Sequence, residues 1–294
     1  ILNDAETLGI IYDAEFAEHI PTLLDETTIQ HTLRIDLGQS PTDARPSFED
    51  AIDATEPAVV MNPQTTHDTP MTIMYTSGTT GRPKGVLITH GMTFWNAINI
   101  SVPTGLHCNS VQYIVLPTFH TAGLNLYANP LVHHGGTSII SRAFDPELTL
   151  KTLSDPALGV THFFGVPAIY LFLSQHDDFK TTDLSRVQSW GCGGAPMPAS
   201  LLSTYAKRGM TIQLGFGMTE TSPTVFLIAK RRAIVKPTSV GKPLLHTRVR
   251  IVDDNLQDVP VGEVGEVVIS GPNVTPQYWH RPDANAENFS TDEH

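Results

Sequence analysis

Basic residues are scarce: 18 lysines and arginines stand against 30 aspartates and glutamates in 294 residues, a formal charge of -12. That deficit removes the positive face that nucleic acid or an anionic lipid surface would need. Cysteine is nearly absent. Cys108 and Cys192 are too few and too far apart for a disulfide framework or a C-x-x-C pair, so a reducing setting, the cytoplasm, is expected. No apolar run reaches membrane-spanning length, and no basic segment followed by an apolar stretch opens the chain. G-x-S-x-G, H-E-x-x-H and any Cys/His cluster are missing, which leaves the hydrolase and zinc-site readings without support. His133-His134 has no further ligands at metal spacing.

What is present reads as an ordinary globular composition, with 40% apolar and 16% charged residues. Leu8–Tyr12 reads as a buried strand, and Asp13–Leu24 as a helix with Phe16 and Ile20 on one face. Gln39–Arg45 is a polar turn. From Met71 a regular rhythm begins. Strands are expected at Met71–Thr76, Gly85–Thr89, Val111–Leu116, Thr137–Ser141, Val160–Phe164, Val187–Cys192 and Thr211–Leu214. Helices are expected at Met92–Ser101, Gly123–His133, Pro146–Leu153, Pro167–Gln175 and Pro198–Arg208. Strands and helices alternating in this way predict an α/β fold, mostly parallel and covered on both faces. After residue 235 the pattern becomes period-two, with turn residues at Asp253-Asp254-Asn255 and Val261-Gly262-Glu263. This predicts a core over 1–235 and a small antiparallel β subdomain over 236–294.

The densest chemistry lies in Tyr75-Thr76-Ser77-Gly78-Thr79-Thr80-Gly81-Arg82-Pro83-Lys84-Gly85. Three glycines permit close backbone approach, four hydroxyls offer short donors, and Arg82 and Lys84 bring cations into an acidic chain. Exposed N–H groups in such a turn form an anion nest, and the lysine screens phosphate charge. The competing reading is a solvated hairpin turn. A Walker A loop does not fit, because Pro83 and Gly85 fall where that motif needs Gly and Ser/Thr.

The run resembles the T-S-G-T-T-G-x-P-K-G signature of the adenylate-forming superfamily, which includes acyl-CoA synthetases and carrier-loading adenylation domains. Two further segments agree in order. Gly193-Gly194-Ala195-Pro196 is similar to the family's adenine-contacting turn, and Gly215-Phe216-Gly217-Met218-Thr219-Glu220 to its G-Y-G-x-T-E motif. Gly262-Glu263-Val264-Gly265-Glu266, Gly271-Pro272 and Tyr278-Trp279 add weaker matches. The resemblance implies the large α/β domain of an enzyme that activates a carboxylic acid with ATP, releases pyrophosphate and passes the acyl group to CoA.

It also implies roles. Thr76, Ser77, Gly78, Thr79, Thr80, Gly81 and Lys84 would hold the β- and γ-phosphates. Thr219 would contact the α-phosphate, and Glu220 would help hold Mg²⁺, a hard cation suited to a carboxylate and phosphates. The structural alternative for the Thr-Glu pair is a helix start with Thr219 as N-cap. Phe216 replaces the usual tyrosine. It is either a stacking platform for adenine, with Gly215 and Gly217 clearing space beside it, or core. His120, in Leu116-Pro117-Thr118-Phe119-His120-Thr121-Ala122-Gly123, is a candidate at the acyl pocket mouth or a structural histidine. Phe163-Phe164-Gly165-Val166-Pro167 and Gly191-Cys192 would line that pocket, although a run such as Phe163-Phe164 is by itself more often core. Lys230-Arg231-Arg232 reads as a solvated patch or a contact for the CoA 3′-phosphate.

Two departures stand out: Phe216 for tyrosine, and Gln277 where glycine usually precedes Tyr-Trp. Family members continue into a ribose-binding aspartate and a C-terminal domain bearing a lysine, and Glu287-Asn288-Phe289 is similar to the segment just before that aspartate. A fragment of a longer enzyme is therefore expected. The alternatives are an adenylation domain that loads a carrier protein and a non-catalytic AMP or acyl-adenylate binder.

Overall fold

The computed structural model describes residues 1–36, 45–58, 62–77 and 82–290. The turn expected at Gln39–Arg45 lies outside them, except for Arg45. In chain order the strands are β1 Gly9–Asp13, β2 His31–Ile35, β3 Pro70–Thr76, β4 Lys84–Thr89, β5 Val111–Ile114, β6 Thr137–Ile140 and β7 His162–Gly165. They continue as β8 Ser189–Cys192, β9 Ile212–Gly217, β10 Thr224–Leu227, β11 Lys242–Pro243, β12 Arg248–Val252, β13 Glu266–Ser270 and β14 Tyr278–Trp279. β3, β4 and β14 form a three-stranded sheet with β4 in the middle.

The chain divides into two units, the first comprising Ile1–Thr65, Tyr75–Gly85 and Tyr278–His294. Here β1 and β2 pair in parallel. Asp13 caps the following turn by accepting from the Glu15 N–H, but the expected single helix is two pieces, a 3₁₀ segment Ala14–His19 and an α-helix Ile20–Glu26. Pro21 has no N–H to continue the first piece and suits the first turn of the second. The tighter 3₁₀ pitch also rotates Phe16 away from Ile20. Phe16 is exposed while Ile20 is buried, so they do not share an inward face.

The second unit is Thr66–Met74 and Val86–Gln277. Its seven-stranded sheet runs β11-β10-β9-β8-β7-β5-β6. β6, β5, β7, β8 and β9 are mutually parallel, as the alternating pattern predicts. β10 and β11 extend the sheet antiparallel. The sequence reading ended β9 at Leu214 and passed over β10, because Gly215, Gly217 and Pro223 resemble loop residues. β12 and β13 pair antiparallel from Arg248 to Ser270.

This unit holds two buried clusters, a large one and a smaller one of Ile100, Leu106, Leu126, Tyr127, Leu131 and Leu244. Phe163, Tyr170, Trp190, Cys192 and Tyr205 are each at most 2% exposed within one cluster. Two hydroxyls in this apolar layer find carbonyls: Tyr170 donates to Gly191 at 2.7 Å and Tyr205 to Tyr170 at 2.8 Å. Such buried pairing is what makes the polar tip of a core tyrosine tolerable.

The strand order also locates a crevice. β5 is followed on one side by β6 and on the other by β7. Connections therefore leave β5 and β7 in opposite directions, and in open parallel sheets ligands bind beyond the carboxyl ends of strands at such a switch point.

Candidate active site

Within the second unit, the candidate residues come from the carboxyl ends of four neighbouring strands. Leu116–His120 follows β5, Phe164 ends β7, Gly193–Pro196 follows β8, and Gly215–Gly217 closes β9. Ile114, Leu116, Ala122, Tyr127 and Phe164 line a small cleft at the β5–β7 switch point. Complete burial pushes the Tyr127 phenol up to about 12, so it stays neutral against this apolar wall.

Strand alternation sorts the expected pocket residues. Phe164 is half-buried and faces the cleft, whereas its neighbour Phe163 is in the core at 0% exposed. Cys192 is likewise core, and burial pushes its thiol up to about 12. Phe163 thus follows the core alternative, and Cys192, expected at the pocket, packs in the core instead. A Cβ built on Gly193 would sit 3.1 Å from the Gly215 carbonyl oxygen and 3.3 Å from Phe164. The Gly193–Pro196 turn, the glycine pair of β9 and the cleft wall thus meet.

Phe216 is 42% exposed, its ring 5.8 Å from that of Phe226 on the paired strand. The sequence reading gives Gly215 and Gly217 the task of clearing space beside a ligand, and the structure gives Gly217 a packing task of its own. A Cβ on Gly217 would fall 1.8 Å from the Pro223 carbonyl oxygen, so glycine is needed for β9 to pass its own chain. Thr219 and Glu220 follow in a single 3₁₀ turn, Thr219–Thr221. Thr219 is not the N-cap; Met218 occupies that place, and Thr219 is buried. Glu220 is half-buried, and its carbonyl accepts from the Thr275 N–H at 2.7 Å.

His120 has a structural use. Its Nδ1 accepts from the Ala122 N–H at 3.1 Å, capping the short helix Thr121–Gly123 at the exposed end of the cleft segment. Lys230 points the other way. Its ammonium donates to the Gln188 carbonyl at 2.7 Å, at the amino end of β8. That is the edge opposite the crevice, so the Lys230 reading as a CoA contact there loses its support.

In the first unit, Thr76 Oγ1 donates to the Lys84 carbonyl at 3.5 Å and Ser77 is exposed. Lys84 is only 7% exposed, with its Nζ 5.1 Å from the centroid of the Tyr278 ring. A cation over a tyrosine face is held by the ring quadrupole. Tyr278 belongs to a weaker family match but has no role assigned by it, and Tyr127 lies in no motif; packing is what brings both to notice. Gly78, Thr79, Thr80 and Gly81 lie outside the described residues.

Among the described residues, no group of three or more His, Cys, Asp or Glu side chains could hold a metal ion. The donor set at the turn, a single half-buried carboxylate, fits a cation that brings its other ligands as water and phosphate. No helix among these residues is long and apolar enough to cross a membrane.

Comparison with known proteins bears on the family and the fold. A family model described as "AMP-binding enzyme" matches residues 1–279. A feruloyl-CoA synthase from an Amycolatopsis species is 42% identical over 215 residues, covering 73% of this chain and 43% of that protein. An indoleacetate–CoA ligase from Aromatoleum aromaticum is 32% identical, covering 82% of this chain and 47% of the relative. Among solved structures, ATP-bound MatB from Rhodopseudomonas palustris superimposes with a TM-score of 0.86 at 27% identity, covering 99% of this chain and 56% of the other. A long-chain-fatty-acid-CoA ligase from Archaeoglobus fulgidus gives 0.85 at 26% identity, covering 100% and 59%. The chain spans about half the length of the relatives it matches.

Proposed function

Because this chain belongs to the AMP-binding enzyme family, we propose that it activates a carboxylic acid with ATP and transfers the acyl group to the thiol of CoA. In the first step an acid oxygen attacks the α-phosphorus and pyrophosphate leaves. In the second the CoA thiol attacks the acyl-AMP carbonyl, AMP leaves, and the thiol proton is lost to solvent. The relatives named for feruloyl and indoleacetate groups favour an aromatic acid, which would approach beside Leu116, Tyr127 and Phe164. A fatty acid is the alternative.

The observation that supports this best is the meeting of Gly193, Gly215 and Phe164 beyond the carboxyl ends of the parallel strands. That is where an α/β sheet receives a nucleotide. In this proposal Gly193–Pro196 and Phe216 contact adenine, Thr219 the α-phosphate, and the hydroxyl-rich run from Thr76 to Gly81 the outer phosphates. Lys84 neutralises charge that builds as two anions approach. Glu220 would hold Mg²⁺, which when bound screens the phosphates and polarises the α-phosphorus. His120 would sit at the mouth of the acyl cleft. The work is placed in residues 1–235, with 236–294 as the β-rich portion. The two unpaired cysteines fit a cytoplasmic setting.

ATP–pyrophosphate exchange with a panel of aromatic and aliphatic acids tests the proposal. Lys84→Ala and Glu220→Ala should each lower acid-dependent exchange by about 100-fold, the scale seen when one preorganised electrostatic contact is removed. Exchange at the parent rate in both variants would overturn these roles. Thioester formed with CoA, and not with a carrier protein, separates this reading from the carrier-loading alternative.

A further inference from the structure

We propose that Asn273 and Thr275 are positioning residues that fix the Thr219-Glu220 turn, a role that rests on the activity proposed above. The turn closes on itself through Thr221, whose N–H and Oγ1 each donate to the Met218 carbonyl at 3.0 Å, yet it holds a strained residue. Ser222, a non-glycine residue, has φ 57°, in the left-handed region that a side chain disfavours. Ser222 is wholly buried and its hydroxyl has no hydrogen-bond partner, and the Thr224 hydroxyl has none either. Such a conformation persists only where surrounding contacts over-determine it.

The segment Asn273–Thr275 supplies them. Asn273 is 0% exposed and its Nδ2 donates to the Thr221 carbonyl at 3.0 Å and to the Thr224 carbonyl at 3.4 Å. The N–H of Thr275 donates to the Glu220 carbonyl at 2.7 Å. Carbonyls on both sides of the strained serine are thereby tied to one external strap.

The strap is itself anchored twice. Asn273 Oδ1 accepts from Thr247 Oγ1 at 3.0 Å, which in turn accepts from Asn99 Nδ2 at 3.3 Å. Asn99 belongs to the helix His90–Thr104. Thr275 Oγ1 donates to the Leu87 carbonyl of β4 at 2.6 Å. A buried polar chain of this kind is justified only if every link is made, and each link restricts the next. The strap touches the turn through backbone carbonyls, so it sets where Thr219 and Glu220 stand without contributing a group to the chemistry.

The test uses Asn273→Leu, Thr275→Val and Thr275→Ser in the full chain. Acid-dependent ATP–pyrophosphate exchange is measured alongside thermal melting and amide hydrogen exchange of residues 218–224. The expected result is a tenfold or greater fall in kcat for N273L and T275V with the KM for ATP changed less than threefold. T275S, which keeps the hydroxyl, should return to within threefold of the parent. Protection of 218–224 should fall in N273L and T275V by more than protection elsewhere in the fold, beyond the modest drop in melting temperature that orphaned buried groups bring. Parent-like kcat in N273L and T275V, or a loss that follows global melting, overturns the proposal. If the parent shows no exchange at all, the activity has failed separately. The strap then stands or falls on whether N273L speeds amide exchange at 218–224.

Discussion

His162 carries the clearest pH-dependent consequence at the scale of a single residue. Burial lowers its pKa to about 4, and the ring is held between Thr161 Oγ1 at 2.8 Å and the Thr104 carbonyl at 3.1 Å. The folded value lies below the unfolded one of about 6.5, so the unfolded chain binds more protons between these limits. The associated stability is complete above pH 6.5 and is lost as pH falls toward 4, amounting to at most about 3 kcal/mol. Urea midpoints measured from pH 7.5 to 4.5 should fall in the parent and fall less in His162→Gln. A second residue-scale expectation concerns Tyr170, whose hydroxyl satisfies the buried Gly191 carbonyl beside Phe164. Tyr170→Phe should destabilise by about 1–3 kcal/mol, the range for an orphaned buried acceptor, read as a shift of the denaturation midpoint at unchanged slope.

Among the elements, the helix His90–Thr104 is bounded by two local devices. Thr89 Oγ1 accepts from the Met92 N–H at 3.2 Å, and Gly105 closes the far end with φ 72°. Thr89→Ala should cost about 1 kcal/mol in equilibrium unfolding, and a null effect would show the cap to be redundant. Elements of this kind were legible because their signals are local. The parallel strands were read from apolar runs spaced by helices, and Pro167–Gln175 begins and ends where its proline and period place it. The short helix Pro282–Asn288 was passed over because it carries almost no apolar stripe, only Ala284 being buried. β10 was passed over because its partner strand continues through Gly215-Phe216-Gly217, residues whose meaning depends on Pro223 and Phe226. The motif residues were recognisable from spacing. Asn273 as a strap was not, since it acts on carbonyl groups that every residue possesses.

For the whole molecule, the net charge of -12 means that the proposed polyanionic nucleotide would have to be captured by local contacts against an unfavourable background. Raising ionic strength screens the exposed acidic surface more than buried contacts. ATP affinity should therefore change by less than about tenfold between 0.05 and 0.3 M salt, well short of the steep losses of proteins that bind nucleic acid through many lysines. Calorimetric titration with ATP at the two salt concentrations measures this, and a loss of a hundredfold or more would show that diffuse surface charge dominates.

The separation of Phe163 from Phe164, one turned into the packed layer and the other toward the cleft, reaches further than either residue. Adjacent positions on one short strand answer to different demands. Under the proposed function, exchange of Phe164, Leu116 or Ala122 retunes which acid fits while Phe163, Trp190 and Cys192 keep the scaffold standing. A lineage built on this sheet is free to wander in taste while its skeleton stays put.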